Sequence, residues 1–246
     1  MSDLTQGIWT NWSGFQKAKP QQILQPVNIQ ELQSIVYEQQ KIRVVGAGHS
    51  FTPLVCTDAT LVSLDRISGV ASFDVEHCQS NIYAGTRLYD LDQHLQQQSI
   101  NQALMNQGDI DQQSLAGAVS TGTHGTGADL HCISAYVEAF ELLTASGEIL
   151  KCSRTENSEI FAAGRVSLGS LGILTKITMQ NRPRYKLKEH IQLCLVEDMM
   201  QNIQQWKHQH RHIECFVFPH EKQLMLKTLD ETDEEILPRK ENFPSD

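Results

Sequence analysis

A chain of 246 residues with 40% hydrophobic and 20% charged residues can bury one large core or two small ones, and its composition is neither disordered nor collagenous. Its 20 Lys and Arg stand against 29 Asp and Glu, and a net charge of -9 without a local basic patch repels polyanions, so nucleic acid is not expected as a partner. The start MSDLTQGIWTNW lacks the basic and apolar regions of a secretory leader, and no apolar run nears the roughly 18 residues of a bilayer span. A cytoplasmic protein without an integral membrane segment is expected, with peripheral association left open.

The elements read as follows in chain order. Gln21 to Gln25 is a short strand. After Pro26, Asn28 can cap a helix in which Leu32, Ile35 and Val36 recur at helical spacing, ending near Gln40. Lys41 to Val45 is a β-branched strand running into the glycine turn Gly46, Ala47, Gly48, His49, Ser50. Strands are expected at Thr60 to Leu64, Val70 to Val75 and Asn81 to Ala84, then a helix from Leu88 to Gln98 with Leu88, Leu91 and Leu95 inward. From Asn106 to Gly127, Gly, Ser and Thr are too frequent for a regular core element, and only a turn or two of helix fits around Ser114 to Ser120.

Ser134 to Thr144 and Glu148 to Cys152 read as a hairpin turning at Ser146 and Gly147, Glu156 to Ala162 as a short helix and Ile173 to Met179 as a strand. Arg182, Pro183 and Arg184 break the pattern and mark a boundary near 181. A helix from Val196 to His208 and a strand from His212 to Phe218 follow, and the acidic, apolar-poor tail from Leu229 onward reads as a mobile loop. The fold class is α+β. The six cysteines, Cys56, Cys78, Cys132, Cys152, Cys194 and Cys215, never approach CxxC spacing and are expected as buried thiols of a reducing compartment.

Two glycine-rich segments carry the chemistry. In the first, Val45, Gly46, Ala47, Gly48, His49 and Ser50 can converge backbone N–H groups into a nest for a pyrophosphate, or can form a merely structural turn. It is not the Rossmann fingerprint, because Phe51, Thr52 and Pro53 lead into loop where a third glycine should open a helix. In the second, Gly117 to Gly127 alternate glycines with hydroxyl residues, an anion cradle without the Gly-Lys-Ser/Thr ending of an NTPase loop; the alternative is a solvated surface loop. Asp109 and Asp111 are explained by turn chemistry, and His208, His210, His212 and His220 form no HExxH pattern, so no metal site is expected.

Taken together, GAGHSF followed by CTDATLVSLDRISGV, GDIDQQSLAGAVSTGTHGTG, SLGSLGILTKIT and ECFVFPH resemble, in order, segments of the vanillyl-alcohol oxidase superfamily and its sugar-1,4-lactone oxidase branch. The resemblance implies a two-lobed PCMH-type FAD-binding domain over 1–180, with lobes of about 1–69 and 70–180, followed over 181–246 by the incomplete start of an α+β substrate domain. It implies that the pyrophosphate lies against residues 45–50, that Gly117, Ser120, Thr121, Gly122, His124 and Gly125 wrap the flavin from the other lobe, and that Ile173 meets the adenosine side. His49 stands where many relatives tether the flavin 8α-methyl through an imidazole nitrogen; the alternative is a histidine that only hydrogen-bonds in a turn. Ser114 matches a serine that touches the substrate hydroxyl, or is a helix N-cap.

The activity this implies is FAD-dependent oxidation of a CH–OH group of a sugar-1,4-lactone, with O2 as acceptor and H2O2 as product. An alditol or other polyol oxidase and a non-catalytic FAD-binding domain are the competing readings. The branch's Glu/Arg pair and its His-Trp-Gly/Ala-Lys stretch do not occur in this sequence, so the chain resembles the amino-terminal part of a longer enzyme.

Overall fold

The computed structural model describes residues 7–97 and 99–236. The chain divides into two compact units: the first holds the chain up to Gly125 together with His131–Pro183, the second Thr126–Leu130 together with the chain from Arg184 on.

The first unit opens with a two-rung hairpin, β1 (Trp9–Thr10) and β2 (Lys17–Ala18), that local sequence signals do not reveal. Next come β3 (Gln22–Leu24), α1 (Ile29–Glu38), β4 (Ile42–Val45) and β5 (Thr60–Ser63), and the three strands form a parallel sheet in the order β3-β5-β4. Asn28 caps α1 by accepting from the Glu31 N–H at 2.8 Å, and the Glu31 carboxylate accepts from Val27 N–H at 2.8 Å. Leu32 and Ile35 of α1 are buried. Register Val45↔Ser63 places the end of β4 at the end of the sheet, so the glycine turn leaves from a fixed point.

The rest of the unit comprises β6 (Val70–Asp74), β7 (Gln79–Tyr83), α2 (Leu88–Leu95), β8 (Gln102–Leu104), α3 (Leu115–Ser120), β9 (Val137–Leu143), β10 (Ile149–Ser153), α4 (Ser158–Gly164) and β11 (Ile173–Pro183). Its sheet runs β10-β9-β11-β7-β6 in antiparallel order, with β8 paired to the far end of β11. Leu88, Leu91 and Leu95 of α2 are fully buried and belong with Leu32, Val62, Leu115 and Ile177 to one apolar core shared by both sheets. The expected last residue of this helix, Gln98, lies outside the described residues.

Three expectations shift, each for a hydrogen-bonding reason. Residues Ile133–Tyr136 form a 3-10 turn and the strand starts at Val137, because the Ile133 N–H donates to the Thr123 carbonyl (2.9 Å) and the Ala135 N–H to Cys132 (3.0 Å). Helix α4 starts at Ser158, because the Ser153 hydroxyl already accepts from Thr155 and Glu156 in a turn. Strand β11 runs on through Pro183, since the buried Asn181 amide donates to Ser80 Oγ (2.8 Å) and Gln102 Oε1 (2.9 Å), and Arg182 pairs with Ala103.

The second unit contains β12 (Leu187–Leu195), α5 (Val196–Gln209), β13 (His212–Val217) and β14 (Gln223–Glu231), an antiparallel sheet in the order β12-β14-β13. Met199, Ile203 and Trp206 of α5 pack with Leu224, Leu226, Cys194 and Cys215. The expected loop from Leu229 is corrected: Leu229–Glu231 complete β14, with Leu229 between Glu189 and His212, and residues 237–246 lie outside the described residues. All six cysteines are free thiols, but only Cys152 is fully buried. Among the described residues no helix is long and apolar enough to cross a membrane.

Candidate cofactor site

A cavity of about 310 Å³ lies in the first unit, walled by the turn that follows β4, by α3 and by the turn that precedes β11. The β4 turn owes its shape to the β1–β2 hairpin beneath it. Gly48 O accepts from the Trp12 N–H (3.2 Å), Ser50 O from the Asn11 amide (3.0 Å) and Phe51 O from the Gln16 amide (2.8 Å). With these carbonyls drawn toward the hairpin, the N–H groups of Ala47, Gly48, His49 and Ser50 donate to no group among the described residues. Gly48 has φ +70°, and a Cβ there would also stand 3.1 Å from the buried Trp9 ring. The segment is thus a row of unengaged donors with no side-chain bulk at its two glycines, which is what an anionic diphosphate requires.

His49 stands on the same turn. Its ring stacks on Trp12 with centroids 5.2 Å apart and planes at 22°, and Trp12 meets Phe51 edge-on at 5.8 Å. Neither ring nitrogen has a hydrogen-bond partner among the described residues. Burial, then the charge of Arg87, holds the imidazole below its ordinary pKa of 6.5, so at neutral pH it is uncharged and carries a free lone pair.

The opposite wall is α3. Ser114 is buried and caps it, its hydroxyl accepting from the Gly117 N–H at 3.3 Å. Two further bonds fix the start of the helix, from Leu115 N–H to Thr86 O (2.8 Å) and from Ala116 N–H to Ala84 O (3.1 Å). Between those acceptors, Gly85 passes so close to the Leu64 carbonyl that a Cβ would collide with it. Asp65 lines the cavity too, its charge met by Arg87 at 2.6 Å, while Arg87 also donates to Gln112 O at 3.0 Å. Among the described residues no Lys or Arg lines the cavity, and the donors these residues offer an anion are the backbone N–H groups of the β4 turn.

The cavity brings together Val45, Gly46, Ala47, Gly48, His49, Ser50, Ser114, Gly117, Ser120, Thr121 and Ile173. It does not include Gly122, His124 or Gly125. Beyond Ser120 the glycine-rich run spends its donors on the end of its own helix: Thr121 N–H bonds Gly117 O, Gly122 N–H bonds Val119 O and Thr123 N–H bonds Ala118 O. His124 Nδ1 lies 2.9 Å from Gly125 O, and Gly125 passes against the Gln107 carbonyl where a Cβ has no room. Sequence reasoning missed Trp9, Asp65 and Leu168. The Trp9/Trp12 pair and the doubled Ser-Leu-Gly of SLGSLG were the visible signals.

Two family models match the chain, FAD binding domain over residues 20–153 and D-arabinono-1,4-lactone oxidase over residues 177–244. The L-gulono-1,4-lactone dehydrogenase of Mycobacterium tuberculosis is 34% identical over 235 residues, covering 94% of this chain and 54% of that protein. The L-gulonolactone oxidase of Bos taurus is 30% identical over 227 residues, 91% and 51% respectively. The D-arabinono-1,4-lactone oxidase of Candida albicans is 31% identical over 213 residues, 79% and 38%. The chain spans about half the length of the first two of these relatives.

Proposed function

Because the chain belongs to the FAD binding domain family, we propose that it is the flavin-holding part of a cytoplasmic oxidoreductase that oxidises a CH–OH group of a sugar-1,4-lactone, with O2 as acceptor and H2O2 as product. The observation that carries the cofactor assignment is the row of N–H groups from Ala47 to Ser50, unengaged among the described residues, on a turn that lines a cavity whose other wall is α3. The lactone class rests on the names of the relatives and on the second family match. Residues 1–180 form the flavin domain in this reading, and the chain from 181 on begins the substrate domain.

Bound FAD supplies the acceptor for a hydride leaving the carbinol carbon. The chain's own residues have narrower tasks. The 45–50 turn holds the pyrophosphate by backbone donors, with Gly117, Ser120 and Thr121 on the facing wall and Ile173 on the adenosine side. Gly122 closes the end of α3 through its N–H on the Val119 carbonyl, and His124 and Gly125 continue the glycine-rich run beyond the cavity lining. Ser114 fixes the start of α3 and, being at the cavity surface, can donate its hydroxyl proton to an oxygen of the substrate.

His49 is the residue proposed to tether the flavin through a ring nitrogen. An uncharged imidazole with no hydrogen-bond partner, held flat by Trp12, supports that role over a turn-stabilising one. Acid precipitation tests it: flavin fluorescence is expected in the protein pellet of wild type and in the supernatant of His49→Ala. Flavin released from fully loaded wild type removes the tether from the account. The activity is tested by peroxide release with aldono-1,4-lactones and with alditols, using the protein with its native downstream sequence. Lactone-dependent peroxide is expected, and turnover of alditols alone would replace the substrate assignment.

A further inference from the structure

The backbone of His49 is tied down on both flanks by consecutive residues of the β1–β2 hairpin. Trp12 N–H donates to the Gly48 carbonyl at 3.2 Å, and the Asn11 side-chain amide donates to the Ser50 carbonyl at 3.0 Å. Asn11 is itself buried, and its side-chain carbonyl accepts from the Gln16 N–H at 2.9 Å, so the anchor belongs to the hairpin's own framework. Little freedom is left at this point of the chain except in the imidazole ring.

The ring is restrained by other means. A histidine that acts through one ring nitrogen is commonly oriented by a hydrogen bond at the other, and among the described residues neither nitrogen of His49 has one. What the ring meets is the Trp12 indole, 5.2 Å away and 22° from parallel. Trp12 does not belong to the core: it is 58% exposed, whereas Trp9 of the same hairpin is 4% exposed. Its aromatic contacts are with His49 and Phe51, and it is not among the residues that line the cavity. Stacking restrains the plane of an imidazole and leaves both nitrogens, which lie in that plane, unbonded.

We propose that Trp12 is a positioning residue for His49, an indole that holds the imidazole for nucleophilic attack while occupying neither of its nitrogens. The inference rests on the reading of His49 as the flavin tether and deepens it, placing the orienting group in the hairpin, outside the cavity lining. In that tether a C–N bond replaces a C–H bond of the 8α-methyl. The displaced proton and the imidazole N–H proton pass with two electrons to the flavin ring and from there to O2, which leaves as H2O2. Trp12 takes no part in this exchange. It acts only on the fraction of time the ring is correctly oriented, which an aromatic pair of this kind shifts by about twofold to tenfold.

Two measurements test this on Trp12→Ala and Trp12→Phe. The first needs no cofactor: 13C relaxation of the His49 ring in the histidine-labelled 246-residue chain. The ring is expected to be ordered in the parent and in Trp12→Phe and mobile in Trp12→Ala, while the His49 backbone amide stays ordered in all three. The second is the rate at which added FAD becomes acid-stable, expected to fall about twofold to tenfold in Trp12→Ala and to recover in Trp12→Phe. FAD affinity in a His49→Ala background, where no bond through this histidine forms, should change by less than about twofold on adding Trp12→Ala. A ring equally ordered without the indole would overturn the proposal, and so would a loss of FAD affinity in the His49→Ala background, which would mean that Trp12 touches the cofactor itself. FAD bound but wholly released by acid from the parent removes the tether reading, and no FAD uptake removes the flavin reading. In either of those cases the ring-order comparison alone decides whether Trp12 positions His49.

Discussion

Gly46 and Ser114 meet so closely that a Cβ on the glycine would fall on the serine hydroxyl. The contact joins the turn that presents the N–H donors to the residue that caps α3, and both residues line the cavity. Gly46→Ala must therefore displace one wall or break the Ser114 cap. A cap alone contributes about 0.5–2 kcal/mol, and overpacking at a rigid site adds about 1–3 kcal/mol. The expected outcome is a lower urea midpoint and loss of most bound flavin, with partial recovery in Gly46→Ala combined with Ser114→Gly, where the clashing hydroxyl and its Cβ are gone. Independent, additive effects of the two substitutions would show that the contact is not what shapes the site.

Gly85 and Gly69 separate space from backbone conformation. A Cβ at Gly85 would run into the Leu64 carbonyl and stand 2.9 Å from the Ile67 carbonyl, atoms that cannot turn aside. At Gly69 nothing lies within 4 Å, but φ is +103°. Gly69→Ala should cost about 1–2 kcal/mol for the left-handed backbone alone. Gly85→Ala should cost on the order of 3 kcal/mol or more and reduce soluble yield, since backbone must move against backbone. Urea melts of the two proteins decide the matter, and equal midpoints would contradict it.

The acid side of the stability profile should depend on His212. Its Nδ1 lies 3.1 Å from both the carbonyl and the hydroxyl of Thr126, and burial holds its pKa below 6.5 although the Thr126 carbonyl works in the opposite direction. The folded state therefore binds fewer protons than the unfolded state in this range, so stability rises with pH. The contribution is complete above about 6.5, declines as pH falls through that value and levels off below the folded pKa. The carboxylate of Asp74, kept low by the His77 backbone N–H and ring, adds a dependence of the same sign only below 3.8. Chemical denaturation of wild type and His212→Asn at pH 7.5, 6.5 and 5.5 should show a steeper loss in wild type. Parallel profiles would exclude His212 as the source.

What could be read from sequence is what neighbours in the chain determine. Asn28 and the Leu32, Ile35 spacing define α1, Leu88, Leu91 and Leu95 define α2, and the glycines of 46–48 mark the donor turn, because capping, periodicity and positive φ are local properties. The β1–β2 hairpin has two residues per strand, and its role lies in bonds from Asn11, Trp12 and Gln16 to a turn far along the chain. Strand β8 is only three residues long, and it is placed by pairing with the end of β11. Leu168 is marked in sequence only by the doubled Ser-Leu-Gly, which flags a turn without showing that the leucine itself takes the left-handed conformation. The donors of the 117–127 run looked available in sequence, yet the end of α3 takes three of them, a cost of ending a helix that composition does not display.

The cavity in the first unit is proposed to be an FAD site. Its most direct test is the absorbance spectrum of the purified 246-residue chain after incubation with FAD and removal of free cofactor, with the bound species identified by mass. Flavin bands corresponding to one FAD per chain are expected, sharply reduced in Gly46→Ala. A well-folded, colourless protein that takes up no FAD would contradict the account.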